Sequence, residues 1–309
     1  MMTIQDTLRL FSGLSAFPLT PTDAAGHLQA DVLGRFLERI QAAGADSIGL
    51  LGSTGGYAYL TRETRQRAVR VAVECVGGKI PIIVGVGALR TDEAETLARD
   101  AKAAGADGLL LAPMSYTPLT DEEVFQHFSA VAEAGGLPLC IYNNPSTTKF
   151  TFSDDLIARL AKLPNVAAVK MPLPANGNFA GEMERLRATT RDGFAIGYSG
   201  DWGAADALLA GCDAWYSVVA GLLPTPALAL TRAAQAGNRP EVLRINEAFR
   251  PLWDLFKASG SFRVMYVMAD VLGLARIEPP RPVLPLPRET YGRVEEALQS
   301  LKSSDRFIP

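Results

Sequence analysis

The sequence predicts an α/β protein: an eight-stranded parallel (β/α)8 TIM barrel over residues 1–223, with a C-terminal helical extension over residues 224–309 packed on it. One repeated phrase is the first sign. A-G-A-D occurs at Ala43–Asp46 and Ala104–Asp107 and returns as A-G-C-D at Ala210–Asp213. Each copy closes a helix-like stretch with a glycine suited to a helix C-terminus and opens an apolar run, so each marks a helix-to-strand joint. The three aspartates are spaced 61 and 106 residues apart, which fits two and four βα units of about 25 to 30 residues. The second sign is eight alternations of apolar run and amphipathic segment in about 220 residues, which favours a closed barrel over an open sheet.

The strands expected in order are Gly13 to Phe17, S-I-G-L-L-G after the first joint, Ile80 to Gly85, G-L-L-L-A-P after the second, Leu137 to Tyr142, Val166 to Met171, Phe194 to Tyr198, and A-W-Y-S-V-V after the third. They are apolar runs without alternation, as strands buried on both faces should be. Asp31 to Ala43 and Asp92 to Ala104 are typical of the helical segments between them. A doubly wound sheet is disfavoured because G-V-G-A-L-R has Arg90 where a dinucleotide fingerprint needs its last glycine. Past Leu223 the strand pattern stops. Helices are expected at Pro224 to Ala236, Pro240 to Ala258, Phe262 to Leu272 and Glu289 to Leu301, with the proline-rich Pro279 to Pro287 crossing between the last two.

With 309 residues, 48% hydrophobic and 20% charged, at a formal net charge of −3, the chain is an ordinary globular composition. The lack of a Lys/Arg block argues against nucleic acid as a partner. Asp6 and Arg9 interrupt the start where a signal peptide needs an apolar core, and the most apolar stretch, Ile80 to Leu89, is too short to span a bilayer, so no membrane role is expected and the chain reads as cytoplasmic. Cys75, Cys140 and Cys212 form no C-x-x-C pair, and His27 and His127 show no metal-ligand spacing. Neither a metal site nor a Ser-His-Asp triad is expected, and both histidines read as surface residues.

In such a barrel the C-terminal ends of the strands and the loops after them build the active site. Lys170 ends the sixth strand, Tyr142 ends the fifth, and G-S-T-G-G, Gly52 to Gly56, follows the second. An ammonium has little use inside a buried apolar strand, so Lys170 needs a reason. An apolar wall disfavours the charged form of a lysine, and the neutral amine is the species that attacks a ketone. The iminium so formed is an electron sink that lets bonds one carbon further out be made or broken. A proton must also move, and Tyr142 is the candidate to carry it. Glycines and small hydroxyls at Ser53, Thr54 and Gly55 offer converging backbone N–H groups, and a carboxylate is the expected guest because the phosphate-loop spacing is missing.

Together F-P-L-T at Phe17–Thr20, G-S-T-G, Y-N-x-P-S at Tyr142–Ser146, V-K at Val169–Lys170 and S-G-D at Ser199–Asp201 resemble the dihydrodipicolinate synthase and N-acetylneuraminate lyase family of pyruvate-dependent class I aldolases. The resemblance covers nearly the whole chain. It implies that Lys170 forms a covalent imine with a 2-keto acid without any other cofactor, and that Tyr142 relays protons. It also implies that Ser53 and Thr54 hold the substrate carboxylate, with Thr54 joining the relay, and that the backbone carbonyl of Tyr216 faces the site. A homotetramer built as a dimer of dimers, or a dimer, follows from the same resemblance. Tyr116 matches the lyase spacing of a tyrosine lent across the tight dimer.

Two departures bear on the substrate. Synthases of this family carry an arginine after Y-N-x-P-S, where a two-pronged hydrogen bond grips a distal carboxylate; here the residue is Thr147, and Gly56 replaces a customary glutamate. The chain is therefore expected not to be an authentic dihydrodipicolinate synthase. Asn144 and Thr147 are expected to meet a hydroxylated 2-keto acid, such as a sugar-acid derivative. The leading function is a Schiff-base lyase or aldolase that cleaves a 2-keto acid to pyruvate and an aldehyde, or runs the reverse. A 2-keto-3-deoxy sugar-acid dehydratase using the same imine is the alternative, and a non-catalytic keto-acid sensor is a third.

Overall fold

The computed structural model describes residues 9–304. Asp6 and the outermost ends of the two expected regions lie outside the described residues. Eight strands form one closed parallel barrel: β1 Gly13–Ala16, β2 Ser47–Leu50, β3 Ile82–Gly85, β4 Gly108–Leu111, β5 Leu139–Tyr142, β6 Val166–Met171, β7 Ala195–Tyr198 and β8 Ala214–Ser217. Each pairs with the next, and β8 pairs with β1 through Gly13–Ala16 against Ala214–Ser217. All eight fall inside the expected runs. Three start later than expected, β3 at Ile82, β5 at Leu139 and β7 at Ala195, and in the first two the preceding Pro81 and Pro138 have no N–H to donate.

The repeated A-G-x-D phrase has a structural cause beyond the helix end. Gly44 and Gly105 cap the helices Ala30–Ala43 and Thr91–Ala104 in the left-handed region, with φ of 83° and 97°. The aspartate that follows reaches sideways to the preceding strand of the barrel. Asp46 accepts the Leu14 N–H at 2.7 Å, Asp107 accepts the Ile82 N–H at 2.8 Å, and Asp213 accepts the Ile196 N–H at 2.8 Å. Each carboxylate thus satisfies a donor at the start of a neighbouring strand and ties the N-terminal rim of the barrel together. Arg232 grips Asp46 with two bonds of 3.0 and 2.8 Å and carries that tie to the helix Pro224–Gln235.

Inside the barrel, aromatic side chains pack against small ones. Phe17, Cys140, Tyr142 and Tyr216 are buried together with Ala168, Ala195 and Ala214 in a cluster separate from the main core. Glycine makes the fit possible at two positions. A Cβ on Gly49 would stand 2.2 Å from the Phe17 ring, and one on Gly197 would stand 2.6 Å from the Tyr216 ring. These two absences of side chain leave room for aromatic rings at the mouth end of the barrel.

Four helices follow the last strand: Pro224–Gln235, Arg239–Ser259, Ser261–Val271 and Glu289–Ser304. They pack on one another and, through the first, on β1 and the helix Ala30–Ala43. Phe249 and Trp253 stack at 4.6 Å between ring centroids inside this layer. No described helix is long and apolar enough to cross a membrane. The histidines divide: His27 is exposed as expected, whereas His127 is 8% exposed and bonds Thr91 Oγ1 at 3.0 Å. It sits on the inner face of the helix Asp121–Gly135, one turn from Val124 and Val131, so the helical period, and not its polarity, decides its place. Burial lowers its pKa.

Candidate active site

Tyr142 and Lys170 are register partners on β5 and β6, both at the C-terminal end of the barrel. Residues paired this way across parallel strands point to the same side, here the interior. Lys170 is 3% exposed and Tyr142 6%. The lysine nitrogen lies 3.9 Å from the centroid of the Phe17 ring, 4.1 Å from that of Tyr142 and 5.7 Å from that of Tyr216. Three aromatic faces can hold an ammonium through their quadrupoles, and none accepts a conventional hydrogen bond that would tie the amine down. The nitrogen is thus set against an aromatic wall at the C-terminal end of the barrel.

The hydroxyl of Tyr142 has two polar neighbours. Ser53 Oγ lies 3.2 Å away, and Asn144 Nδ2 donates to it at 2.9 Å. Ser53 is presented by a loop with an unusual start: Leu51 has φ of 57°, rare for a leucine, and Gly56 has φ of 61°. Gly55 is needed for close approach, since a Cβ there would come within 3.0 Å of Thr20 Oγ1 and 3.1 Å of Leu51 Cα. Thr54 is 5% exposed, beside Ser53 in this loop. Of the two hydroxyls, that of Ser53 meets the tyrosine.

The polar clamp expected after β5 is already occupied by local bonds. Thr147 Oγ1 and Thr148 Oγ1 both donate to the Asn144 carbonyl, at 3.3 and 2.9 Å, and the Asn144 amide is turned to Tyr142. Lys149 donates to the Ser146 carbonyl at 2.9 Å. Tyr216 adds its ring to the wall, 6.1 Å from Phe17 edge-to-face, with Cys140 Sγ 3.5 Å from its hydroxyl. Burial pushes the Cys140 thiol up to about 12 and raises the Tyr216 phenol as well. Tyr116 is not brought to the other residues within the chain: its side chain is 98% exposed on the loop after β4.

Several site residues escaped sequence reasoning. Phe17 lay inside a quoted motif but was given no role. Asp201, in the S-G-D motif, is 1% exposed and accepts Trp215 Nε1–H at 2.9 Å, the Val218 N–H at 3.2 Å and the Val219 N–H at 2.7 Å. It pins the chain just beyond β8, behind Tyr216. Desolvation raises its pKa to about 6, against the opposing pull of these donors and of the Lys170 charge. Arg65 is buried too, donating to the carbonyls of Gly87 at 3.0 Å and Gly85 at 2.9 Å, beneath the Tyr57 ring at 5.4 Å. Burial draws its pKa down to about 10. A buried charge with no sequence partner carries no signal in a single sequence.

The sequence model of the dihydrodipicolinate synthetase family matches residues 10–301. The chain belongs to this family. Its resemblance to individual members is close: a dihydrodipicolinate synthase structure from Agrobacterium tumefaciens str. C58 is 59% identical, with a TM-score of 0.95 over 96% of this chain and 100% of that one. The 4-hydroxy-tetrahydrodipicolinate synthase of Gluconacetobacter diazotrophicus is 33% identical over 290 residues, 94% of this chain and 96% of its own. That of Methylococcus capsulatus is 35% identical over 257 residues, 82% of this chain and 86% of its own. A sialic acid aldolase structure from Ruminococcus gnavus, 20% identical with a TM-score of 0.89 over both full chains, shares the fold.

As a member of the dihydrodipicolinate synthetase family the protein is a class I aldolase or lyase of the pyruvate-dependent, Schiff-base kind. The expectation that it is not a dihydrodipicolinate synthase finds no support in these relatives, which carry that name. Among the described residues no group of three or more His, Cys, Asp or Glu side chains is arranged to hold a metal ion.

Proposed function

We propose that Lys170 is the imine-forming residue and that the protein joins pyruvate, or a close 2-keto acid, to an aldehyde, with cleavage as the same reaction reversed. The observation that carries the reading is a lysine nitrogen buried among three aromatic rings, one of them belonging to a tyrosine whose hydroxyl touches Ser53. The amine adds to the C2 carbonyl, and water leaves to give the iminium. Loss of a C3 proton yields the enamine, which attacks the aldehyde carbon while the aldehyde oxygen takes up a proton. Water then hydrolyses the product imine and returns the free lysine. Tyr142, with Ser53, is the group in reach to carry these protons.

The keto-acid carboxylate is assigned to the backbone N–H groups and hydroxyls of Ser53, Thr54 and Gly55, beside the Tyr142 hydroxyl. The names of the curated relatives favour condensation as the physiological direction. A second reading, cleavage of a hydroxylated 2-keto acid, is favoured by Thr147, which leaves no cation where an arginine would grip a distal carboxylate. Tyr116 and a homo-oligomer belong to the same proposal, because a ring exposed at 98% on the loop after β4 is available to a second copy. Product analysis separates the readings. Incubation with pyruvate and aspartate semialdehyde should consume both if condensation is the activity. Pyruvate release from a 2-keto-3-deoxy sugar acid, with no condensation, would replace it by the second reading, and a new keto acid of unchanged carbon count would mean dehydration.

A further inference from the structure

Asn144 follows β5 by two residues, and its side chain turns back to the strand it has just left. Its Nδ2 donates to the Tyr142 hydroxyl oxygen at 2.9 Å, while its Oδ1 accepts from Ser146 Oγ at 2.7 Å. The backbone of the same residue is fixed as well. Its carbonyl accepts the N–H groups of Thr147 and Thr148 at 3.1 and 3.0 Å, besides the two threonine hydroxyls. With the amide oxygen engaged by Ser146, the end that faces the tyrosine is the donor end. A phenol oxygen that accepts an N–H directs its own proton elsewhere, and the other polar neighbour is Ser53 Oγ at 3.2 Å. The four side chains form one directed chain, Ser146 to Asn144 to Tyr142 to Ser53.

We propose that Asn144 is a positioning residue that sets the direction of proton movement through Tyr142, and not a contact for the distal end of the substrate. Sequence reasoning expected the latter role, because Asn144 and Thr147 follow the fifth strand where the synthases' distal-carboxylate clamp would otherwise be. The proposal rests on the lysine-imine reading above. It makes the amide a stabiliser of negative charge on the phenol oxygen when the proton leaves, and a stop that keeps the ring against Lys170.

Exchange of the pyruvate methyl protons in heavy water isolates this step, because no aldehyde is needed. In the iminium a C3–H bond breaks, its proton passing through the Tyr142 and Ser53 hydroxyls to solvent; its electron pair becomes the enamine double bond as the C=N pair returns to nitrogen, and a solvent-derived deuteron then adds to C3 as the iminium re-forms. Asn144→Leu keeps the volume without the donor, and Asn144→Asp keeps the shape but offers an acceptor. Both should lower the maximal exchange rate by about tenfold or more, short of the roughly 10²–10⁴ expected for losing the acid itself. Borohydride-trapped adduct at Lys170 should stay within about twofold of native, and Ser146→Ala should lower exchange by only about two- to fivefold. Unchanged exchange in Asn144→Asp would overturn the proposal. So would a rise in half-saturating pyruvate at unchanged maximal rate, which marks a substrate contact, or an equal loss of trapping and exchange, which marks a structural role. No adduct in the native chain would remove the imine reading, and this proposal with it.

Discussion

Tyr142 and Lys170 face each other in register on adjacent strands, with the lysine nitrogen 4.1 Å from the tyrosine ring centroid and the tyrosine hydroxyl 3.2 Å from Ser53 Oγ. The proposed nucleophile and proton carrier thus stand side by side on one backbone ladder, which fixes the spacing of their Cα atoms. This division of labour predicts separable losses. Tyr142→Phe keeps the ring that faces the ammonium and removes only the hydroxyl, so turnover should fall by roughly 10²–10⁴ while trapped adduct at Lys170 persists. Turnover and trapping lost in parallel would contradict it.

Ser53 and Thr54 should behave differently although they are neighbours. Ser53→Ala removes the partner of the Tyr142 hydroxyl and should lower kcat by about tenfold, the equivalent of one hydrogen bond of about 1.4 kcal/mol. Thr54→Val should act mainly on KM for the keto acid. Steady-state kinetics of both variants, read as the split between kcat and KM, checks the assignment, and the reverse pattern would exchange the two roles.

The glycines behind the aromatic wall are a test of packing. A methyl at Gly49 would meet the Phe17 ring at 2.2 Å and one at Gly197 the Tyr216 ring at 2.6 Å. Gly49→Ala and Gly197→Ala should each cost about 1–3 kcal/mol in urea unfolding, as overpacked sites do. Both should also slow imine formation, since the displaced rings are those that hold the lysine. Stability and trapping rates unchanged in both variants would mean the interior has slack that the distances deny.

Asp201 predicts a pH dependence of stability. Its carboxyl is raised to about 6 from an ordinary 3.8, chiefly by desolvation, so the folded state binds that proton more tightly than the unfolded chain does. The associated stability is present in full below pH about 4 and is lost as pH rises through about 6, on the order of 3 kcal/mol for a shift of about two units. Asp201→Asn cannot titrate. Urea midpoints should therefore show the native chain losing stability relative to the variant between about pH 4 and 7, and parallel curves would contradict the assignment.

Much of this was legible because parallel strands buried on both faces leave uninterrupted apolar runs, and because Lys170 is conspicuous inside one of them. The A-G-x-D joints were legible as helix ends, but the sideways reach of Asp46, Asp107 and Asp213 to the preceding strands was not, since strand neighbours appear only once the barrel closes. Phe17 and Asp201 sit in recognisable motifs whose spacing says nothing of what they touch. That Ser53 meets the Tyr142 hydroxyl appears only once the loop after β2 and the end of β5 are brought together, and the sequence likewise offers no sign of the left-handed Leu51 that opens this loop. Asn144 was read as a contact for the substrate, and its bond to the Tyr142 hydroxyl at 2.9 Å becomes visible only once the chain after β5 folds back on the strand.

Borohydride reduction in the presence of pyruvate, followed by peptide mass spectrometry on the native chain and on Lys170→Ala, tests the central claim most directly. The account predicts a reduced pyruvyl adduct on Lys170 and on no other lysine, abolished in the variant. A folded native protein with no adduct at Lys170, or with the adduct elsewhere, would contradict it.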